Sequence, residues 1–211
     1  MSRRLRRSAT VFAAVGALVL GPVLSAVPAQ ARQNEHAPDE WRIRLEIVDY
    51  AFSQIGAKEN GPNGYPQRYQ DVDPDVRRPV EWCGVFVNWA WTKAGVPQRP
   101  SMRPADGAPG VDQGHWATYW QKWGQANGRW KSLADRDVEM GDAVVYGNYP
   151  SMVAHVGIVV EVNYDRTGQK ATHVRTVEGN VSDKVVHSKW RRIADLNAGP
   201  GLKASGFVSP F

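Results

Sequence analysis

An α+β fold follows from three observations on this chain. Segments with helical apolar spacing come first, strand-like segments come after them, and one domain's worth of sequence holds both. The chain has 211 residues, 42% of them apolar and 22% charged. About 170 residues from Glu40 onward make one domain of ordinary size. The arrangement expected is a set of N-terminal helices packed on a C-terminal antiparallel β-sheet. Collagen-like, coiled-coil and wholly disordered readings fail on composition, and no internal repeat is visible. A single cysteine excludes a disulfide within the chain.

The start of the chain reads as a leader rather than as fold. Met1–Arg7 is basic, Val11–Leu20 is a run of ten apolar residues, and Ala29-Gln30-Ala31 ends a small-residue segment. That layout is a secretory signal peptide over residues 1–31. A stable membrane anchor is not expected, because a span needs about 20 mainly apolar residues, and Gly16, Gly21, Pro22 and Pro28 interrupt this one. Arg3, Arg4, Arg6 and Arg7 carry most of the net charge of +5; without the leader, 22 basic residues face 21 acidic ones. Nucleic-acid binding loses its support, since no basic stripe remains. The exported chain is expected to work outside the cytoplasm, as a monomer.

Residues 32–39 are polar and are expected to form a flexible tail ahead of a domain over 40–211. Trp41–Ile55 places apolar residues at helical spacing and stops at Gly56. Lys58–Pro79, rich in Gly, Pro, Asn and Asp, reads as a long loop. Trp82–Ala94 is a second helix, apolar on nearly every side and therefore central. After another loop over Val96–Gly110, Val111–Ala126 is expected to be a third helix. Its Trp116, Tyr119, Trp120 and Trp123, with Trp130 beyond, are read as packing residues more than as a stacking wall for substrate. Short strands are expected at Ala143–Tyr146, Val153–Val162, Thr172–Glu178, Lys184–Arg192 and Gly206–Ser209.

Cys83 lies in the first turn of the central helix. A helix N-terminus favours a thiolate, and a nearby imidazolium favours it further. The plainer alternative is a small buried hydrophobe beside Trp82 and Phe86. Among the histidines, His155 stands out because it interrupts the apolar run Val153–Val160, where an imidazole is costly unless hydrogen-bonded. A core histidine satisfied by backbone is its plainer reading. His36, His115 and His187 read as surface residues. Asp165-Arg166-Thr167-Gly168 has the signature of a type I turn. A hairpin centred between Arg166 and Thr167 would set Glu178 directly opposite His155, with Asn180 on the diagonal, and would put a carboxylate within reach of the ring. Under the same register His173 opposes Val160 and is less well placed.

Trp82-Cys83-Gly84-Val85-Phe86-Val87-Asn88-Trp89 resembles the nucleophile helix of the CHAP family, the cysteine, histidine-dependent amidohydrolases/peptidases. Gly141–Tyr146, His155–Val159 and Val177–Asn180 are similar to that family's later motifs, in the same order. The resemblance, from about Glu46 to Phe207, implies a papain-like α+β fold and hydrolysis of amide bonds, usually in peptidoglycan. It implies Cys83 as nucleophile, His155 as base and acid, Glu178 as orienter and Asn180 as a further polar residue of the site. Trp82, flanking the nucleophile, is the expected lining of the substrate cleft. Asn180 and Gln70 are candidates for a second oxyanion donor beside the Cys83 backbone N–H. No cofactor or metal is expected: Asp71, Asp73 and Asp75 lack the offsets of the calcium-binding members and the rest of an EF-hand loop. An NlpC-type endopeptidase is disfavoured by Trp82, which stands where that group has an Asp. A non-catalytic wall-binding protein and a secreted cysteine enzyme acting on protein are the remaining alternatives.

Overall fold

A computed structural model describes residues 37–61, 64, 66–72, 81–103 and 113–211. The expected leader and nearly all of the expected tail lie outside these residues. Helix α1, Pro38–Ser53, opens on a proline at its start and carries Asp39 and Glu40 in its first turn, where the helix dipole favours acids. It begins three residues before the expected helix, so Pro38 and Asp39 belong to the fold and not to a tail. Its buried stripe is Ile43, Arg44, Ile47, Val48 and Ala51. A short 3₁₀ turn, Gln67–Val72, leads toward α2, Cys83–Lys93, in which every residue from Cys83 to Trp91 is buried.

Helix α3 is Tyr119–Ala126, only the second half of the helix expected there. The described residues before it are turns, and close packing explains why. A side chain on Gly114 would lie 2.8–2.9 Å from Met102, Asn88 and Pro100, and the Trp120 indole N–H donates to the Gly114 carbonyl at 2.8 Å. A helix through Gly114 would give up both.

The sheet has seven strands: β1 Trp130–Ser132, β2 Ala143–Tyr146, β3 His155–Tyr164, β4 Ala171–Val181, β5 Lys184–His187, β6 Arg191–Arg192 and β7 Ala204–Val208. All pairings are antiparallel, in the order β1-β7-β2-β3-β4-β5, with β6 also on β4. The chain is thus α+β, with helices first and sheet after. Strand β1 has no counterpart in the sequence expectations, and the single strand expected over Lys184–Arg192 is broken into β5 and β6. Val145, Val156, Ile158, Val160 and Val177 pack against α1 and α2, while Val144, Tyr146, Val159, Val174 and Phe207 form a second cluster with Ile193 and Leu196. Strand alternation separates the two sets.

The β3–β4 register differs by two residues from the expected one. Asp165–Gly168 does form a β-turn, closed by Gly168 N–H to the Asp165 carbonyl at 2.9 Å. Gly168 then adopts a positive φ of 73°, and Asp165 N–H bonds the Lys170 carbonyl at 2.8 Å. The chain therefore reverses over 166–169, and Ile158 pairs with Val177. Continued one step, that register sets Glu178 opposite Gly157 and not opposite His155.

Helix α1 is bolted to the sheet by a buried charge cluster. Arg44, 1% exposed, donates to Asp142 at 2.7 Å and lies 3.1 Å from Glu139, and Lys131 reaches Asp142 at 3.3 Å and Glu139 at 3.4 Å. The Arg44 guanidinium also bonds the Met140 carbonyl and Ser209 Oγ. Removing one member of such a cluster strands the others in low dielectric. Asp142→Ala is expected to cost about 3–5 kcal/mol of unfolding free energy, measured by urea denaturation, while the isosteric Leu→Met change at exposed Leu45 leaves it unchanged.

Candidate active site

The first turn of α2 presents the Cys83 sulfur at the floor of a cleft of about 760 Å³ that opens to solvent. The helix reaches that position because Gly84 lacks a side chain: a Cβ there would sit 2.3 Å from the Gly114 carbonyl oxygen and 2.5 Å from that of His115. The loop before α3 is thereby pressed against the α2 N-terminus and becomes one wall of the cleft. The other walls come from the segment before β3 and the end of β4, including Met152, Val153, Asn180 and Ser182. Cys83 itself is 5% exposed, so the sulfur faces the cleft with little open water around it.

His155, the first residue of β3, lies beside Cys83, near enough for the thiol to bear on its ionisation, and Glu178 Oε2 lies 3.1 Å from its Nε2. With Nε2 held by the carboxylate, Nδ1 is the nitrogen left to the thiol. The Glu178 contact is diagonal across the sheet, and Gly157 makes room for it: a Cβ at 157 would fall 2.5 Å from Glu178 Cγ. The expected contact between His155 and Glu178 is present in a register two residues from the expected one, because such a shift preserves the face on which both side chains lie.

Glu178 is anchored far more heavily than the sequence indicated. Its Oε1 accepts from Tyr146 Oη at 3.0 Å, from the Thr176 hydroxyl, and from Nη2 of Arg191. Burial alone would raise this carboxyl's pKa. The bond and charge of His155, then Arg191 and Thr176, reverse that and hold it well below the usual carboxylate range. Burial likewise works against the His155 cation, but the hydrogen bonds to Cys83 and Glu178 and their charges push its pKa up to about 10. The arrangement can therefore keep an imidazolium beside a sulfur at neutral pH.

Asn180 lines the same cleft, in a left-handed conformation with φ 62°, and its Nδ2 donates to Glu81 Oε2. The side chain of Gln70, the other candidate oxyanion donor, lies outside the described residues, as do the side chains of Asp71, Asp73 and Asp75. Trp82 is not a cleft residue. It is fully buried beneath α2, 6.1 Å from the Tyr69 ring centroid and against Gly179, because the helix start must be packed from below to hold Cys83 in place. His115, read from sequence as a surface residue, is buried and lines the cleft. Only the glycine before it hinted at so close an approach. Trp116 also lines the cleft, whereas Trp120 is fully buried, edge-on to Trp91 at 5.0 Å. Trp123 and Trp130 pack against the same core. His187 is half-buried, edge-on to Phe52 and 3.4 Å from Glu161, and not a solvated surface residue. His173 pairs with Asn163 and Arg192 in the sheet, away from the cleft, and His36 lies outside the described residues. Among the described residues, no group of three or more metal-ligating side chains occurs and no helix is long and apolar enough to cross a membrane.

The CHAP domain family matches residues 75–180, half of the chain, a stretch that includes Cys83, His155, Glu178 and Asn180. This chain belongs to the CHAP domain family. CHAP domains are generally hydrolases, and membership points to a peptidoglycan-related amidase or peptidase with peptidoglycan as substrate. No curated protein and no solved structure matches the chain.

Both shifts have a sign for stability. The raised His155 pKa stabilises the fold fully below 6.5 and loses that contribution as pH rises toward about 10. The depressed Glu178 pKa contributes above 4.5 and is lost as pH falls below it. Nitrogen-15 NMR of His155 is expected to show a titration midpoint well above 6.5, and Glu178→Gln to bring it down. A wild-type midpoint at or below 6.5 contradicts the arrangement.

Proposed function

We propose that this protein is an exported cysteine hydrolase that cleaves amide bonds in peptidoglycan, as a muramoyl-alanine amidase or an endopeptidase, by a Cys-His-Glu mechanism. The observation that carries the reading is that Cys83 and His155 line one open cleft together, with His155 Nε2 held by Glu178 at 3.1 Å. A buried thiol with an inert role needs no histidine, and a core histidine needs no carboxylate fixed by three further donors.

In this reading the Cys83 thiolate attacks the amide carbonyl carbon and a tetrahedral oxyanion forms. The first N–H groups of a helix have no intrahelical partner, so the Cys83 N–H at the start of α2 is free to donate to that oxyanion. Asn180, at the cleft edge, is the candidate for the second donor. The His155 imidazolium gives its proton to the departing amine, and the C–N bond breaks to leave a thioester. Neutral His155 then takes a proton from water as the water attacks, and the acid is released with Cys83 restored. Glu178 keeps the ring turned toward the sulfur and balances its charge, the part of the third member in such triads. The apolar cleft lip at Met152 and Val153, 70% and 74% exposed, suits a substrate with small apolar groups beside the scissile bond, such as the alanines of a stem peptide. Export rests on the leader pattern of residues 1–31 and would bring the enzyme to its substrate.

Incubation with purified peptidoglycan, followed by mass spectrometry of released fragments and labelling of new amines, is expected to show soluble products. Cys83→Ala is expected to lower the rate by at least about 10³-fold with an unchanged circular dichroism spectrum. Binding of the wall without product release by the wild type would instead favour the non-catalytic wall-binding alternative.

A further inference from the structure

Three of the four groups that surround Glu178 lie within the stretch shared with the family, and the fourth does not. Arg191 belongs to β6, eleven residues beyond the last matched position. Strand β6 pairs with β4 only through His173 and Val174, and Arg191 extends from there to the active-site carboxylate. Its Nη2 donates to Glu178 Oε1, to the Tyr146 hydroxyl oxygen and to Thr176 Oγ1, while Nη1 donates to the Asn197 carbonyl at 2.7 Å. The guanidinium also lies over the Tyr146 ring, 5.6 Å from its centroid. One arginine thus ties β6 and the segment after it to the strand that carries the orienter.

We propose that Arg191 is a positioning residue of the catalytic site: it holds Glu178 ionised and oriented, and through Glu178 it sets the lower pH limit at which the Cys83–His155 pair is active. This rests on the hydrolase reading above. The charged and titratable groups facing Glu178 are His155 from β3, Tyr146 from β2, Arg191 from β6 and, through His155, Cys83 from α2. Thr176 on β4 is uncharged. His155 is a cation only while paired with charge, and Tyr146 donates a neutral hydroxyl. Arg191 is therefore the permanent positive charge on the carboxylate, and without it a buried Glu178 moves toward its neutral form. A neutral Glu178 no longer supports the imidazolium, and the thiolate loses its partner.

The split of roles is built into the two oxygens. Oε1 takes Arg191, Tyr146 and Thr176, and Oε2 is left to His155. A carboxylate held at one oxygen by three donors cannot rotate away from the ring at the other. Lysine brings the charge without the planar fork, so it restores only part of that hold.

Cys83 is the sole cysteine, so the rate of its alkylation by iodoacetamide reports its thiolate without any wall substrate. In the full chain, Arg191→Gln is expected to move the acid limb of the alkylation–pH profile up by ~1 pH unit, so that the rate on that limb falls roughly tenfold. Arg191→Lys is expected to recover part of the shift, and Tyr146→Phe to give a smaller one. Peptidoglycan hydrolysis should follow the same displaced limb. Folding of each variant is read from its near-ultraviolet circular dichroism and thermal midpoint. If Arg191→Gln folds as the wild type and its limb does not move, or if Arg191→Lys, folded, differs from the wild type as much as Arg191→Gln does, the positioning role is overturned. If the wild-type profile has its acid limb but wall material is not cleaved, the hydrolase reading fails instead and the Arg191 comparison still decides this one.

Discussion

A carboxylate with almost no water around it must find its compensation inside the protein, and Glu178 finds it from three neighbouring strands and its own. Tyr146 comes from β2, His155 from β3, Thr176 from β4 and Arg191 from β6. Desolvation is the largest influence on this group and it opposes the charge; only convergent donors reverse it. The imidazole of His155, also buried, depends in turn on that charge. The order of β2, β3, β4 and β6 in the sheet is therefore a condition of the site, since moving any one of them would leave a buried charge uncompensated.

The helix side of the site is governed by sterics. Three glycines stand where backbone or a neighbouring side chain passes too close for a methyl group. Gly84 admits the loop that walls the cleft, Gly157 admits Glu178, and Gly179 lets β4 approach Trp82 and Phe86. Trp82 supports the start of α2 from beneath, and Tyr69 and Phe86 complete that packing. Cys83 on such a base keeps its place without a disulfide, which a chain with one cysteine cannot form within itself. In the middle of α1 the Arg44–Asp142 cluster ties that helix to the sheet, and it shares no residue with Cys83, His155 and Glu178.

Much of the site was legible in the order of residue types along the chain. A lone cysteine at the start of an apolar helix and a histidine breaking an apolar strand are local anomalies, and both lie at the cleft floor. Glu178 meets His155 in a different register from the one the turn signature implies. The turn Asp165–Gly168 was readable, but the two extra residues of the reversal depend on how Gly168 and Lys170 close the hairpin, which no turn signature records. Trp82 and His115 exchanged roles, the tryptophan going beneath the helix and the histidine into the cleft. The His115 backbone is brought to the cleft by its approach to Gly84, thirty-one residues earlier in the chain, and Trp82 is covered by Tyr69 and by Gly179 of β4.

What the sequence determined by itself was periodicity: the order of helices before strands, the course of α1, α2 and the longer strands, and which positions along them carry a group costly to bury. These are properties of a few consecutive residues, and they sufficed for the α+β class and for singling out Cys83 and His155, whose roles came from the family resemblance. What only the tertiary structure decided was convergence. Tyr146, Thr176 and Arg191 look unremarkable in their own segments, and they meet because antiparallel pairing brings β2, β4 and β6 around one carboxylate. Hydrogen bonds between side chains act over about 3 Å, so partners separated by 32 and 13 positions in the chain become neighbours only once the sheet exists.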